Sequence, residues 1–433
     1  MQIGDTFEAV AEKPVHGGAM LATAPDERRV FLRGALTGEE VLARVTSVHK
    51  KYLWADTVKV FHPSVHRVEG IWPDGLKSGV GGIELAHAST DYQRLWKHLV
   101  LAEQISRIGG PELETQVRRF APDWVVVQPT PTDANAEANG QLVGTRTRIQ
   151  LVGTKDGRLG MRKFRSHDLV PVDNVPIAVD PINNVSKMFS PENAKAWKGK
   201  WKAGEKVSIE APTDSEPVVV TRRGTFRFPD GKPIGGDSTW SVTAAGRTHK
   251  YQVPAGSFWQ AHVDAPAVLV EAVLEAAKVQ PGQTVLEFYS GAGLFTRFLA
   301  DEVKPGGQIL CLEGDGNAVA SAHNNLGEDA ESDVVSLYTG AVDEESVMEL
   351  AAAAGHMVDT IVLDPPRKGA PRDVVHAISL TSATRVVLVS CDPAAAARDL
   401  RRFVASGFRL VNMTAWDIFP HSHHFETVAE LIR

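Results

Sequence analysis

The carboxyl-terminal part of the chain, residues 251–433, alternates between short apolar runs and helical runs. The apolar runs have the length and β-branched content of strands: Thr284–Tyr289, Gln308–Glu313, Val334–Tyr338, Thr360–Leu363, Arg385–Ser390, Arg409–Ala415 and Thr427–Ile432. The helical runs cover 264–278, 316–325, 345–354, 372–380 and 393–405. This alternation predicts a mostly parallel, doubly wound α/β sheet whose ligand site lies at the carboxyl ends of its strands.

The first 62 residues have a different pattern, with short strands separated by glycine turns. The strands we expect are Thr6–Val10, Arg29–Leu32, Val41–Val48 and Trp54–Val60. Regular spacing of short strands is typical of a small β-barrel of the OB-like kind. We therefore predict a separate amino-terminal domain at residues 1–62.

Residues 63–250 are predicted to form a central, β-rich domain with a helical lead-in, followed by the carboxyl-terminal domain at 251–433. The lead-in helix covers 91–108, with an apolar face at Leu95, Leu99 and Ile105 and a stop at Gly109-Gly110. The strands expected after it include Trp124–Val127, Thr147–Val152, Gly160–Phe164 and Val218–Thr221. At 433 residues the chain is long enough for three such domains.

Composition and charge narrow the class of protein. Hydrophobic residues make up 43% and charged residues 23%, no apolar run is long enough to cross a membrane, and the first residues lack a signal-peptide pattern. We expect a cytoplasmic monomer without membrane contacts. The net charge of −7 is uneven, with +6 over residues 91–250 and −12 over 251–433. A basic middle segment fits nucleic-acid binding, although an ordinary solvated face would have the same charge.

The first chemical motif is a glycine turn that follows the strand ending at Tyr289. Gly291 and Gly293 let a ligand approach the backbone, and the helix that opens there offers free N–H groups. The next strand ends in Glu313, where a carboxylate can accept hydrogen bonds from both hydroxyls of a ribose. Together these features predict an adenosine-containing ligand, either a dinucleotide or S-adenosylmethionine.

Three further side chains follow strands of the predicted sheet. Asp364 precedes two prolines that hold its backbone extended, Cys391 follows the strand Arg385–Ser390, and Glu426 is expected on another loop. A thiol at the carboxyl end of a strand and a carboxylate on another loop suit a mechanism that needs a covalent nucleophile and a base. The chain's other cysteine, Cys311, is expected in the core.

A compact histidine cluster follows in the last loop, at His421, His423 and His424. It lacks suitably spaced acidic or cysteine partners. We therefore expect no metal site.

These motifs, taken together, resemble those of the RNA (uracil-5-)-methyltransferase family. The resemblance is carried by five elements: Gly256-Ser257-Phe258-Trp259-Gln260, Ser290-Gly291-Ala292-Gly293, Asp364-Pro365-Pro366-Arg367-Lys368-Gly369-Ala370, Val389-Ser390-Cys391-Asp392-Pro393 with Ala397-Arg398-Asp399, and Phe419-Pro420-His421 with Glu426. Residues 1–60 resemble a TRAM domain, an RNA-binding barrel often fused to these enzymes. The likeness spans nearly the whole chain and is strongest after residue 255.

The resemblance implies an S-adenosylmethionine-dependent enzyme that methylates carbon 5 of a uridine in structured RNA, either ribosomal or transfer RNA. Cys391 matches the nucleophile, which must be partly thiolate, and Glu426 matches the base that removes the carbon-5 proton. The positions that bind the cofactor or the target base match Gln260, Tyr289, Gly291, Gly293, Glu313 and Asp364. Cytosine-5 methylation and a non-catalytic RNA-binding role remain as alternatives.

The basic residues of the middle segment are candidates for phosphate contacts: Arg146, Arg148, Arg162, Lys163 and Arg165. Many members of the family also hold an iron–sulfur cluster on four cysteines. The matching positions here, Val80, Ile83 and the stretch 173–177, contain no cysteine, so we expect no cluster. Two milder departures are Leu294 after the glycine turn, where many members have a polar residue, and Glu287 in place of an aspartate.

Overall fold

The amino-terminal part of the chain forms one six-stranded sheet. The computed structural model describes residues 1–355 and 357–433. The strands of this N-terminal sheet are β1 (Thr6–Val10), β2 (Lys13–Val15), β3 (Ala19–Thr23), β4 (Arg29–Arg33), β5 (Glu40–Val48) and β6 (Tyr52–His62), in the order β1-β5-β6-β4-β3-β2. All neighbours are antiparallel except β4 and β6. The strands β2 and β3 form a hairpin that the sequence analysis missed.

Helices connect the N-terminal sheet to the rest of the molecule. They are α1 (Pro73–Ser78), α2 (Thr90–Gln104), a π-helical turn (Ile105–Gly109) and α3 (Gly110–Phe120), followed by the short strand β7 (Val127–Pro129) and α4 (Pro131–Ala138). The first half of α2 packs on the N-terminal sheet through Tyr92 and Trp96. Its last turn belongs to the core of the carboxyl-terminal sheet through Leu101. One helix therefore ties the two sheets together.

The predicted lead-in helix is wrong in two respects. The Gly109-Gly110 pair does not stop the helix, because the Gly110 N–H closes a π turn onto the Ile105 carbonyl and α3 begins at Gly110, with Pro111 in its first turn. The predicted apolar face is also misplaced, since Leu95 and Leu99 are exposed. The strand expected at Trp124–Val127 is displaced, since β7 starts only at Val127, and it lies in the carboxyl-terminal sheet rather than in the central one.

A second six-stranded sheet occupies the middle of the chain. Its elements are β8 (Arg148–Gly153), β9 (Leu159–Arg162), β10 (Leu169–Pro171), α5 (Asp180–Asn183), a 3₁₀ turn (Val185–Phe189), α6 (Ala194–Trp197), β11 (Lys206–Glu210), β12 (Val218–Thr221) and β13 (Gly224–Arg227). The strands are antiparallel in the order β10-β9-β8-β11-β12-β13. The hairpin of β14 (Asp237–Ala244) and β15 (Arg247–Pro254) follows it.

The carboxyl-terminal sheet has eight strands, and its doubly wound α/β architecture confirms the predicted fold class. Its elements are α7 (Ala265–Ala277), β16 (Thr284–Phe288), α8 (Leu294–Val303), β17 (Gln308–Glu313), α9 (Gly316–Leu326), α10 (Glu328–Glu331), β18 (Val335–Thr339), α11 (Glu344–Ala353), β19 (Thr360–Leu363), α12 (Arg372–Leu380), β20 (Arg385–Ser390), α13 (Pro393–Ala405), β21 (Arg409–Asp417) and β22 (Glu426–Ile432). The order is β18-β17-β16-β19-β20-β22-β21-β7.

Five of these strands, β16 to β20, run parallel, and β22 is inserted antiparallel between β20 and β21. Helices α11, α12, α13 and α3 cover one face of the sheet, and α7, α8, α9 and the β14–β15 hairpin cover the other. Because parallel strands buried on both faces are apolar throughout, their sequences are continuous hydrophobic runs. No helix within residues 1–355 and 357–433 is long and apolar enough to cross a membrane.

Candidate active site

A cavity of about 650 Å³ opens at the carboxyl ends of β16, β17, β19 and β20. Its lining includes most of the site residues that the sequence predicts, namely Gln260, Tyr289, Gly291, Glu313, Asp364, Cys391 and Glu426. Gly293 lies directly behind this lining, at the start of α8. A volume between 300 and 1,000 Å³ is usual for sites that enclose a cofactor or small ligand.

The turn between β16 and α8 leaves room for a ligand. Gly293 has a φ of +84°, and a Cβ atom there would lie 3.4 Å from the Ala322 Cβ. Gly291 has a φ of +56°, and no atom lies within 4 Å of where its Cβ would be. A side chain at Gly291 would therefore fill open space rather than displace protein, which is the arrangement a cradle for a ligand requires.

Glu313 holds this turn in place. One carboxylate oxygen accepts a hydrogen bond from the Gly291 N–H at 2.9 Å, and the other accepts from the Asp315 N–H at 2.8 Å. A carboxylate has about four acceptor positions, so two remain for the hydroxyls of a ribose. The residue predicted to bind a nucleoside thus also fixes the backbone of the glycine turn.

Asp364 lies at the end of β19, in the middle of the cavity lining. Burial raises the pKa of its carboxyl to about 7, because the charged form has lost its water. The prolines that follow keep the chain extended at this point, and Pro365 and Pro366 also line the cavity. A carboxyl with this pKa can donate as well as accept a hydrogen bond near neutral pH.

Cys391 is a free, half-buried cysteine immediately after β20. Burial, and then the charge of Glu426, raise the pKa of its thiol to about 12, while Arg367 acts in the opposite direction. This differs from the expected partial thiolate. Without a bound substrate Cys391 is a thiol near neutral pH, so its proton must be lost when it attacks.

The residue after the thiol links the catalytic edge to the N-terminal sheet. Asp392 caps α13 by accepting hydrogen bonds from the Ala394 and Ala395 N–H groups. Its other oxygen lies 3.0 Å from Nε2 of His16, in the β2–β3 turn. Burial raises the pKa of Asp392, but the hydrogen bond and charge of His16, together with the hydrogen bonds from the Ala394 and Ala395 N–H groups, leave it below the usual value.

Glu426 is the first residue of β22, not a loop residue as predicted from the sequence. It is 6% exposed, and its Oε2 has no hydrogen-bond partner among the described residues. Burial and the charge of Asp364 raise its pKa well above the usual value. An unpartnered, buried carboxylate that faces a cavity is suited to exchange a proton with a ligand.

The loop that leads to Glu426 is anchored by residues that the sequence analysis did not single out. Nζ of Lys97 lies 2.5 Å from Oδ1 of Asp417 and donates to the Phe419 carbonyl at 3.1 Å. Lys97 is fully buried, which lowers its pKa in spite of the attraction of Asp417. The sequence offered one signal for this role, namely that Lys97 is a charged residue on the apolar face of α2.

Two further side chains hold the same loop from the α1–α2 connection and from α2. Gln93 accepts a hydrogen bond from the His421 N–H at 2.7 Å. Glu84 accepts from the His423 N–H at 3.1 Å and pairs with the His423 ring. The three histidines are therefore parts of a packed loop, and no cluster of three metal-ligating side chains occurs within the described ranges.

The five basic candidates for RNA contact separate into two groups. Arg146 donates to the Gly82 carbonyl at 2.9 Å, and burial lowers its pKa. Arg148 pairs with Glu210 at 2.9 Å and donates to the Trp259 carbonyl. Both have internal partners, which leaves their side chains less available to a phosphate than the other three. The remaining three, Arg162, Lys163 and Arg165, are exposed.

The positions that match the cluster-binding cysteines of related enzymes lie in an apolar core. Val80 is 3% exposed and Ile83 is completely buried. They pack with Val175 and Ile177, from the stretch that matches the later cysteine. The side chains at these positions are hydrocarbon, which offers no ligand to iron.

The doubly wound sheet, the glycine turn and Glu313 define the fold of an S-adenosylmethionine-dependent methyltransferase. Residues 238–433 match the family described as tRNA (Uracil-5-)-methyltransferase. An uncharacterized RNA methyltransferase of Streptomyces coelicolor is 34% identical over 99% of this chain and 93% of its own length. One of Bifidobacterium longum is 31% identical over 94% of this chain and 92% of its own.

Among solved structures, the Pyrococcus abyssi tRNA (uracil-54, C5)-methyltransferase in complex with S-adenosyl-L-homocysteine has the same fold. The TM-score is 0.66 at 22% identity, and the match covers 98% of this chain and 99% of that one. The chain belongs to the RNA (uracil-5-)-methyltransferase family, as the sequence motifs predicted. It is an S-adenosylmethionine-dependent RNA methyltransferase.

Proposed function

We propose that the protein methylates carbon 5 of a uridine in structured RNA through a covalent bond between Cys391 and the base. The observation that carries this proposal is the single cavity that is lined by Cys391, Asp364 and Glu426 together with the glycine turn. A nucleophile, a proton acceptor and a nucleoside-binding turn in one cavity match the needs of methyl transfer to an unreactive ring carbon.

Cys391 acts first in the proposed reaction. Its sulfur adds to carbon 6 of the uracil, which places negative charge on the ring and makes carbon 5 nucleophilic. The thiol proton must pass to solvent water as the carbon–sulfur bond forms, since burial and Glu426 keep the pKa of the free thiol at about 12. Arg367, which lowers this pKa, favours that ionisation.

Glu426 acts last. After carbon 5 has gained the methyl group, its proton must be removed so that the sulfur can leave from carbon 6 and the double bond can re-form. The Oε2 atom of Glu426, which lacks a partner among the described residues, is available for this proton. Its raised pKa makes it a stronger base than an ordinary carboxylate once it is ionised.

The residues around the glycine turn fit S-adenosylmethionine, which supplies the methyl group when it is bound. Glu313 retains acceptor positions for the ribose, Gly291 leaves open space for the ligand, and Leu294 adds apolar surface. Gln260, which is buried in the lining, and Tyr289 complete our proposed set of binding residues. We likewise propose a division into domains at 1–62, 63–250 and 251–433, with the first two binding RNA and with β7 and the β14–β15 hairpin packed into the third.

Identification of the methylated nucleoside tests this proposal. The full-length protein is incubated with methyl-labelled S-adenosylmethionine and RNA from cells that lack it, and the RNA is digested to nucleosides and analysed by mass spectrometry. We expect labelled 5-methyluridine that disappears with Cys391→Ala. Labelled 5-methylcytidine would identify the cytosine-5 alternative instead. Absence of label from every cellular RNA, in spite of tight RNA binding, would favour the non-catalytic role.

A further inference from the structure

A continuous line of rings joins the N-terminal sheet to the active-site cavity. We call this line the aromatic track, and it consists in spatial order of His49, Tyr52, Phe31, Trp54, Arg165, Phe164, His423 and His424. The neighbouring groups lie 3.9 to 6.1 Å apart between centroids or from guanidinium to ring. Its last member, His424, lines the cavity beside Cys391 and Glu426.

The outer part of the aromatic track lies on the face of β4 and β6 that points away from the core. Phe31 and Trp54 are paired in register on these parallel strands, and their rings stack at 4.8 Å. Tyr52 meets Phe31 edge-on at 5.4 Å and stacks on His49 at 4.3 Å. Alternation along the strands buries Leu32 and the other inward side chains completely, while these rings stay partly exposed.

Arg165 bridges this outer part to the cavity. Its guanidinium carbon lies 4.5 Å from the Trp54 ring and 5.4 Å from the Phe164 ring, and its Nη2 donates to the Gly17 carbonyl. Phe164 then meets His423 edge-on at 6.1 Å. His423 and His424 are 3.9 Å apart, and His424 contacts the exposed Arg367 at 3.2 Å. Three separate parts of the chain thus contribute to one path.

The chemistry of this path fits single-stranded nucleic acid. Partly exposed aromatic rings such as these can extend a stack onto bases regardless of sequence, and guanidinium groups both stack on bases and pair with phosphates. Two exposed cations lie on the path, Arg165 and Arg367, although residues 251–433 carry a net charge of −12. Two more, Arg162 and Lys163, directly precede Phe164 in the chain. An acidic peptide would use these cations but would leave the row of rings without a partner.

We propose that the aromatic track binds an unpaired stretch of RNA adjacent to the target nucleotide, with its bases stacked on the rings and its phosphates on the flanking cations. This inference rests on the proposed function, which requires the target base to leave its helix. It adds that the substrate is single-stranded on at least one side of the target. The track then guides that strand from the N-terminal sheet to Cys391.

Binding of labelled oligouridine to the full-length protein, measured by fluorescence anisotropy, tests the track. We expect Trp54→Ala and Arg165→Ala to weaken binding by about tenfold each, since one stacked base contributes about that much. Trp54→Phe keeps a ring and should stay within about twofold of wild type. The matched control is Arg118→Ala, which removes an exposed arginine that lies 3.9 Å over the Trp124 ring, outside the track.

A duplex RNA of the same length should bind more weakly than oligouridine and should not respond to Trp54→Ala. Equal weakening by Arg118→Ala, or unchanged oligouridine binding in folded Trp54→Ala and Arg165→Ala proteins, would overturn the proposal. Thermal unfolding monitored by circular dichroism establishes that each variant is folded, and Arg165→Ala carries the test if Trp54→Ala is not. If Trp54→Ala and Arg165→Ala lose oligouridine binding while the wild-type protein transfers no methyl group to any RNA, the track would be supported and the proposed function rejected.

Discussion

Two groups of residues around the cavity differ in how their polar groups are satisfied. The glycine-turn half consists of residues 289–293 and Glu313, and the thiol half consists of Asp364, Cys391 and Glu426. Glu313 accepts backbone hydrogen bonds with both oxygens. In the thiol half, by contrast, burial raises the pKa of Asp364, Cys391 and Glu426 alike. The glycine-turn half is therefore ordered before any ligand binds, whereas burial disfavours the charged forms of the side chains in the thiol half.

This difference indicates how the two substrates are treated. A preformed turn binds its ligand without reorganisation, so little free energy is lost in ordering it. Buried carboxyl groups and a buried thiol lower the stability of the free protein. They are, however, the groups that can transfer protons once the target nucleobase occupies the cavity. We therefore expect substitutions in the glycine-turn half to change cofactor affinity, and those in the thiol half to change the chemical steps.

The largest effect is expected for Glu426→Gln. The amide cannot take the carbon-5 proton, so release of the methylated base should slow by about a thousandfold. Cys391 remains able to add to the ring, and a covalent protein–RNA complex should accumulate even with ordinary uridine. Denaturing gel electrophoresis of single-turnover reactions detects this complex. Rapid multiple turnover by Glu426→Gln would exclude Glu426 as the base.

Lys97→Met should have the second-largest effect, because it leaves Asp417 as a buried charge without its partner. Loss of one partner of a buried pair costs about 3 kcal/mol of unfolding free energy, which urea denaturation measures. Since the pair anchors the loop before Glu426, methyl transfer should slow while the affinity for S-adenosylmethionine stays unchanged.

Lys13→Met provides a control for Lys97→Met, as it breaks a pair with Glu103 in which the lysine is 54% exposed. It should cost less than about 1 kcal/mol. The double variant Lys97→Met with Asp417→Leu should recover most of the lost stability, because no charge is then left buried. No recovery would mean that the pair is not what stabilises this loop.

Glu313→Ala should weaken S-adenosylmethionine binding by about tenfold in calorimetric titrations, since it removes charge-assisted hydrogen bonds and frees the glycine turn. The rate at which iodoacetamide alkylates Cys391 should not change, because that thiol lies in the other half. Glu345→Ala, at an exposed position of α11, is the control for loss of one negative charge. A parallel change in alkylation would mean that the two halves are not independent.

The smallest effect is expected for Arg367→Ala. Alkylation of Cys391 in the free protein should rise about tenfold per pH unit from pH 7 to 10, since only the thiolate reacts and its pKa is about 12. Arg367 lowers this pKa, so its removal should slow alkylation by about threefold at any pH in this range. Lys368→Ala, a neighbouring exposed cation, should have little effect. Alkylation that levels off near pH 8 would contradict the assigned pKa.

The sequence predicted the carboxyl-terminal sheet almost strand by strand, because buried parallel strands are continuous apolar runs bounded by clear helical segments. The first half of the chain was harder. The glycine pair at 109–110 resembles a helix stop, but a π turn carries the chain into a second helix. Short strands such as β2 and β3, of three and five residues, leave only a weak pattern.

The motifs located Cys391, Glu426 and Glu313, but not the groups that support them. Lys97 lies 320 residues before Asp417 in the sequence, so only the fold can show that they are paired. His16 and Asp392 are likewise brought together by the packing of the N-terminal sheet on the catalytic edge. The protonation of the thiol half could not be predicted either, because it depends on burial that motif spacing does not reveal.

The most direct measurement of the central claim is covalent capture of RNA in which 5-fluorouridine replaces uridine. Fluorine at carbon 5 cannot be removed as a proton, so the protein should remain bonded to the methylated base after S-adenosylmethionine is added. We predict a denaturation-resistant complex whose cross-linked peptide contains Cys391, and none with Cys391→Ala. A complex through another residue, or methylation of ordinary RNA by Cys391→Ala at the wild-type rate, would contradict this account.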